Sequence, residues 1–197
     1  MNRRATLAAV TSWLLLAAPA AAQDATPLLE ALSPFDGQMT ALEQYLGERD
    51  RLIIERIHRQ PTLSLAGGAS LEMEAVVAFE PARLEERMLG IRIRVEGTSL
   101  RGRAAITHLD LREVEELVRA IDLMDELLAN EPGDAEVRHI SRDGFGVVAT
   151  RKEGRITFSV RLYGAPDGEP VEAPVDAATL AVLRGQLEDS RLHLFQQ

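Results

Sequence analysis

The chain has 197 residues, 46% of them hydrophobic and 27% charged, with 31 acidic against 22 basic side chains for a net charge of −9. Those fractions suit a folded soluble protein, and the chain is long enough to bury a sizeable core. The absence of cysteine excludes disulfides and cysteine nucleophiles, while the acidic balance and the 4% aromatic content oppose nucleic-acid binding.

Arg3 and Arg4 precede a short, mostly apolar run from Leu7 to Leu16, and Ala18-Pro19-Ala20-Ala21-Ala22 offers small residues before Gln23. This pattern predicts a signal peptide over residues 1–22, cleaved after Ala22, and a periplasmic or secreted protein. A spanning helix needs about 20 apolar residues, so no transmembrane segment is expected once the leader is gone. The mature chain would carry 20 basic and 31 acidic residues, a net charge of −11. A cysteine-free exported chain fits a bacterial periplasm better than a eukaryotic secretory route.

Residues 23–49 read as a lead-in arm. Met39, Leu42, Tyr45 and Leu46 could line one face of a short helix over 36–46, which Gly47 would end. A single α+β domain is expected over 50–197, with 50–130 and 135–197 as its two halves. Leu52 to His58 is β-prone, with a helix running on to His58 as the competing reading, Leu63 and Leu65 precede a Gly67-Gly68 turn, and Ser70 to Phe79 alternates in the period of a half-buried strand. Met88 to Glu96 repeats that alternation, and Ser99 to His108 is a weaker strand interrupted by Arg101-Gly102-Arg103.

The longest periodic stretch follows. Leu111, Val114, Leu117, Val118, Ile121, Met124 and Leu128 form one apolar stripe at helical spacing, with Asp125 lying within it. Asp110 and Glu113 make the capping-box pattern at its start, and Asn130 with Pro132 stops it. Beyond lie a strand over 136–141, an Asp143-Gly144 hairpin turn, a strand over 145–150, a second hairpin at Lys152-Glu153-Gly154 and a strand over 156–162. Residues 164–175, rich in glycine and proline, read as a loop, and Asp176 caps a final helix striped by Ala177, Leu180, Leu183 and Leu187.

Strands then helix, twice over, argue for an α+β fold: an antiparallel sheet of about seven strands with the two helices on one face. The other face would expose Glu72, Glu74, Arg92, Arg94 and Arg161. At the level of element order this is similar to the Whirly-like architecture, where four strands and a helix occur twice. That resemblance implies a fold arrangement only, and the family's single-strand nucleic-acid binding is opposed by the charge of this chain.

No local motif carries chemistry. His58, His108, His139 and His193 are far apart and lack metal-ligand spacing, so no metal or other cofactor is expected. Ser99 and Ser141 stand outside nucleophile motifs, and Asp110 and Asp143 have structural work at a cap and a turn. Arg92, Arg94, Arg101 and Arg103 would cluster on neighbouring strands as a positive patch able to receive a carboxylate, a phosphate or an acidic partner, unless Glu72, Glu74 and Glu96 pair with them. The expected function is a non-enzymatic exported module binding an unspecified protein or small molecule. The alternatives are an enzyme that joins His108 or His139 to a distant acid, and an envelope-associated structural protein.

Overall fold

The computed structural model describes residues 39–48, 50–97, 104–163 and 171–197. The predicted leader, most of the lead-in arm, Arg101 and Arg103 lie outside the described residues.

The first sheet comprises β1 (Ile54–Arg59), β2 (Leu63–Ser64), β3 (Ser70–Glu80), β4 (Arg83–Glu96) and β5 (Ala104–Asp110). Its order is β1-β3-β4-β5, with β2 also beside β3, and every pairing is antiparallel. The second sheet is a four-stranded meander, β6 (Ala135–Ile140), β7 (Phe145–Lys152), β8 (Arg155–Leu162) and β9 (Val171–Val175). Three α-helices complete the described chain: α1 (Ala41–Gly47), α2 (Leu111–Asn130) and α3 (Ala177–Phe195). None is long and apolar enough to cross a membrane.

The α+β class and the antiparallel pairing stand, but the single sheet of about seven strands does not. Among the described residues nine strands divide into two sheets, and the two long helices do not share one face: α3 packs on β3 and β4, α2 packs chiefly on β6 and β7, and the two touch each other. Alternation reveals which face of a strand is buried, but not which strand lies beside it. Here β5 runs directly into α2, and its far edge meets the β6–β7 turn rather than β6 itself.

Local patterns explain most elements. Both halves of the capping box at Asp110 and Glu113 are in place at the start of α2. The Glu153-Gly154 turn adopts positive φ at both positions, the geometry that two-residue hairpins favour. The stretch read as a loop contains β9, whose Pro174 pairs opposite Ser159. Proline lacks a ladder donor and is confined to sheet edges, and β9 is an edge strand. Strand β4 begins at Arg83, five residues before the alternation becomes apolar. Asp125 is exposed, not within the buried stripe.

One contiguous core joins both sheets and both long helices, including Met73, Ile93, Leu117, Phe145, Val147 and Leu183. A smaller cluster lies on the opposite face of the first sheet, where Leu42 of α1 packs on Val76 and Ala78. The predicted short helix therefore exists but starts at Ala41 with Thr40 as its cap, and Met39 is 47% exposed instead of lining its buried face.

His139 points from β6 to the inner side and is half-buried, with Nε2 lacking a hydrogen-bond partner among the described residues. Burial pushes its pKa below the ordinary value, against a smaller opposing pull from Glu116. Folding thus favours the neutral ring, so acidification through the unfolded pKa near 6.5 protonates the unfolded chain first and stability falls. His139→Leu should flatten the loss of melting temperature between about pH 7.5 and 5.5. An identical pH profile in the variant would assign that sensitivity elsewhere.

Candidate functional site

The outer face of the first sheet is organised by strand register. Arg59 pairs opposite Glu74, Glu74 opposite Arg92, and Arg92 opposite His108, so four polar side chains form one row across β1, β3, β4 and β5. Arg59 Nε donates to Glu74 Oε1 at 2.8 Å, and Arg92 donates to Glu74 Oε2 at 3.2 Å and to Glu55 Oε2 at 2.6 Å. Burial alone would raise the Glu74 pKa, but the two arginines outweigh it and hold the carboxyl below its ordinary value. Arg92 Nε also points at His108 Nε2, at a longer 3.4 Å.

The row ends in a three-residue cluster. Glu43 from α1, His108 from β5 and Asp143 from the β6–β7 turn each offer a ligand atom, all within 4.8 Å of one another. His108 Nδ1 lies 3.8 Å from Asp143 Oδ2. All three side chains are half-buried, and neither Glu43 Oε2 nor His108 Nδ1 has a hydrogen-bond partner among the described residues. Burial raises the Glu43 pKa, the facing Asp143 carboxylate raises it further, and His108 partly offsets both.

Each arm of the cluster is held in position. Asp143 accepts the backbone N–H of His108 at 2.7 Å, closing the free edge of β5, while Thr107 Oγ1 donates to the Asp143 carbonyl at 3.1 Å. Asp110 accepts the first N–H groups of α1, from Ala41 at 3.2 Å and Leu42 at 3.3 Å, so it serves the start of two helices. Glu113, 5% exposed, accepts the N–H of Asp110 at 3.0 Å and that of Arg142 at 2.8 Å, tying α2 to the turn that carries Asp143. Beyond the capping role read from the sequence, Glu113 is a buried bracket whose oxygens satisfy two backbone donors.

Gly90 makes the docking of α1 geometrically feasible. A Cβ there would lie 2.7 Å from the Leu109 carbonyl oxygen and 2.8 Å from Leu42 Cδ2. Leu42 fills that gap, and Glu43 follows it toward β5.

Of the four arginines predicted as a patch, Arg92 is paired with Glu55 and Glu74, and Arg94 is paired with Glu96. Arg101 and Arg103 lie outside the described residues. Arg161 belongs to the second sheet, not to this face, and pairs there with Glu136 and Glu172. His58, His108 and His139 do not converge: His58 instead stacks on His193 with ring centroids 4.1 Å apart, and His139 lies on β6. Glu43 and Asp143 escaped sequence reasoning, since one sat in an arm of uncertain packing and the other in an evident turn. Hairpin register would have aligned Arg92 with His108, but nothing local brings positions 43, 108 and 143 together.

No family model matches the chain, and no curated protein matches it in sequence.

Proposed function

We propose that this chain is an exported, non-enzymatic binding module, and that its ligand is received on the outer face of the first sheet beside α1. The signal-peptide pattern of residues 1–22 supports export and a periplasmic destination. The observation that carries the binding reading is the convergence of Glu43, His108 and Asp143 at the end of the charged row. Partly desolvated carboxylate and imidazole groups brought together from three elements are a feature that core packing does not require.

Arg92 and Arg94 remain the proposed partner-binding residues, together with Arg101 and Arg103, which lie outside the described residues. Arg92→Glu with Arg94→Glu should leave a cooperative melt but weaken capture of a periplasmic partner at least roughly tenfold, since rim charges set encounter and register. Quantitative crosslinking in intact cells measures this, and unchanged capture would remove the arginines from the surface.

A second reading draws on the same His108–Asp143 pair: a hydrolytic site assembled from distant residues. It is the weaker one. The neighbouring hydroxyls are committed to backbone, Thr40 accepting from Glu43 N–H and Thr107 donating to the Asp143 carbonyl. Hydrolysis of a screened ester or peptide that disappears in His108→Ala would favour it over simple binding.

A further inference from the structure

We propose that Glu43, His108 and Asp143 form a binding site for one divalent first-row transition-metal ion of the zinc or manganese class. This rests on the binding reading for its location but not on any macromolecular partner. Three arguments carry it.

The first is geometry. Ligand atoms around a single ion at metal–ligand distances near 2.1 Å sit roughly 3–4 Å apart. The 3.8 Å between His108 Nδ1 and Asp143 Oδ2 already falls in that range, and the 4.8 Å limit on the whole trio demands closure of about 1 Å at most. The trio also unites three elements that are each fixed independently, so the donors are aimed before any ion arrives.

The second is charge. Glu55 and Glu74 answer Arg59 and Arg92, which leaves Glu43 and Asp143 as two carboxylates facing one another beside an imidazole. Arg142 is engaged with Asp110 and Glu113. Like charges in a half-buried space repel, and a dication converts that repulsion into two attractive contacts.

The third is donor chemistry. One imidazole nitrogen with two carboxylate oxygens suits zinc or manganese, whereas calcium and magnesium prefer an all-oxygen shell. Three protein ligands leave further positions for water or for a donor from a bound molecule. Binding through Nδ1 places the ring proton on Nε2 and breaks the 3.4 Å approach of Arg92 Nε, the longest of that guanidinium's contacts. Arg92 therefore competes with the ion and does not assist it.

The test is isothermal titration calorimetry with zinc and with manganese, on untagged chain expressed from its full sequence and stripped with chelator, with folding checked by circular dichroism. Glu43→Gln and Asp143→Asn preserve shape and keep one acceptor oxygen each, enough for the His108 N–H at Asp143, so a folded variant is expected in each. One ion per chain is expected, with affinity reduced at least roughly tenfold in Glu43→Gln, Asp143→Asn and His108→Ala. Arg92→Gln should bind the ion more tightly, since the competing guanidinium is gone. His193→Ala controls for adventitious binding at the stacked His58–His193 pair and should not change the affinity. Equal binding by His108→Ala and the parent, loss in His193→Ala, or no binding of either metal would each overturn the assignment. Metal binding that persists while partner capture fails would sink only the partner reading, and partner capture without metal binding would sink only this one.

Discussion

Leu117→Asp should abolish the cooperative folding of the chain. Leu117 is fully buried in the middle of α2, within the core shared by both sheets and α3. Truncating such a side chain typically costs about 2–5 kcal/mol through lost transfer energy and the cavity left behind. An unpaired carboxylate in the same place adds several kcal/mol more, or is forced to protonate. The sum rivals the roughly 5–15 kcal/mol that holds an entire domain together. Leu123→Asp, one residue short of two turns along the same helix and 39% exposed, isolates the cause. It carries the same change in helix propensity but should shift stability by no more than about 1 kcal/mol. Urea denaturation followed by circular dichroism distinguishes them. Comparable losses in both variants would mean that α2 buries a different face.

That contrast is also where the sequence speaks most clearly. The α2 stripe was legible because 3.6-residue periodicity, a capping box and a terminating Pro132 agree over 20 residues. Strands β3 and β4 were legible because alternation marks a half-buried sheet. Their grouping into two sheets was not, since lateral neighbours depend on where α2 sends the chain. Strand β9 was hidden by Pro170 and Pro174, which read as loop punctuation until the strand is known to lie at an edge. The candidate site was the least visible feature. His108 looked like an ordinary strand histidine and Asp143 like an ordinary turn residue, and each of those readings is correct locally. Their second role arises only because the turn closes the free edge of β5 and because Leu42 brings Glu43 over the same end of the sheet.

Gly90 decides whether that third arm arrives. Gly90→Ala should destabilise the chain by roughly 1–3 kcal/mol, the usual range for overpacking. It should also release α1 from the sheet. A methyl group at this position meets the Leu109 carbonyl oxygen of the neighbouring strand at 2.7 Å, and that backbone atom cannot yield without opening the β4–β5 ladder. Its other near neighbour, Leu42 Cδ2 at 2.8 Å, is a side chain on a seven-residue helix and gives way first. Hydrogen exchange at the Ala41 and Leu42 amides reports the release directly, because both donate to Asp110 only while α1 is docked. Leu42→Ala supplies the comparison, removing the anchor while leaving the ladder intact. If displacement of α1 is the dominant response, both variants expose those amides and lose Glu43 from the cluster, but only Gly90→Ala weakens the β4–β5 pairing. Protected amides in a destabilised Gly90→Ala would instead mean that the glycine serves the spacing of β4 and β5 alone. Glu43 would then stay beside His108 and Asp143 in that variant.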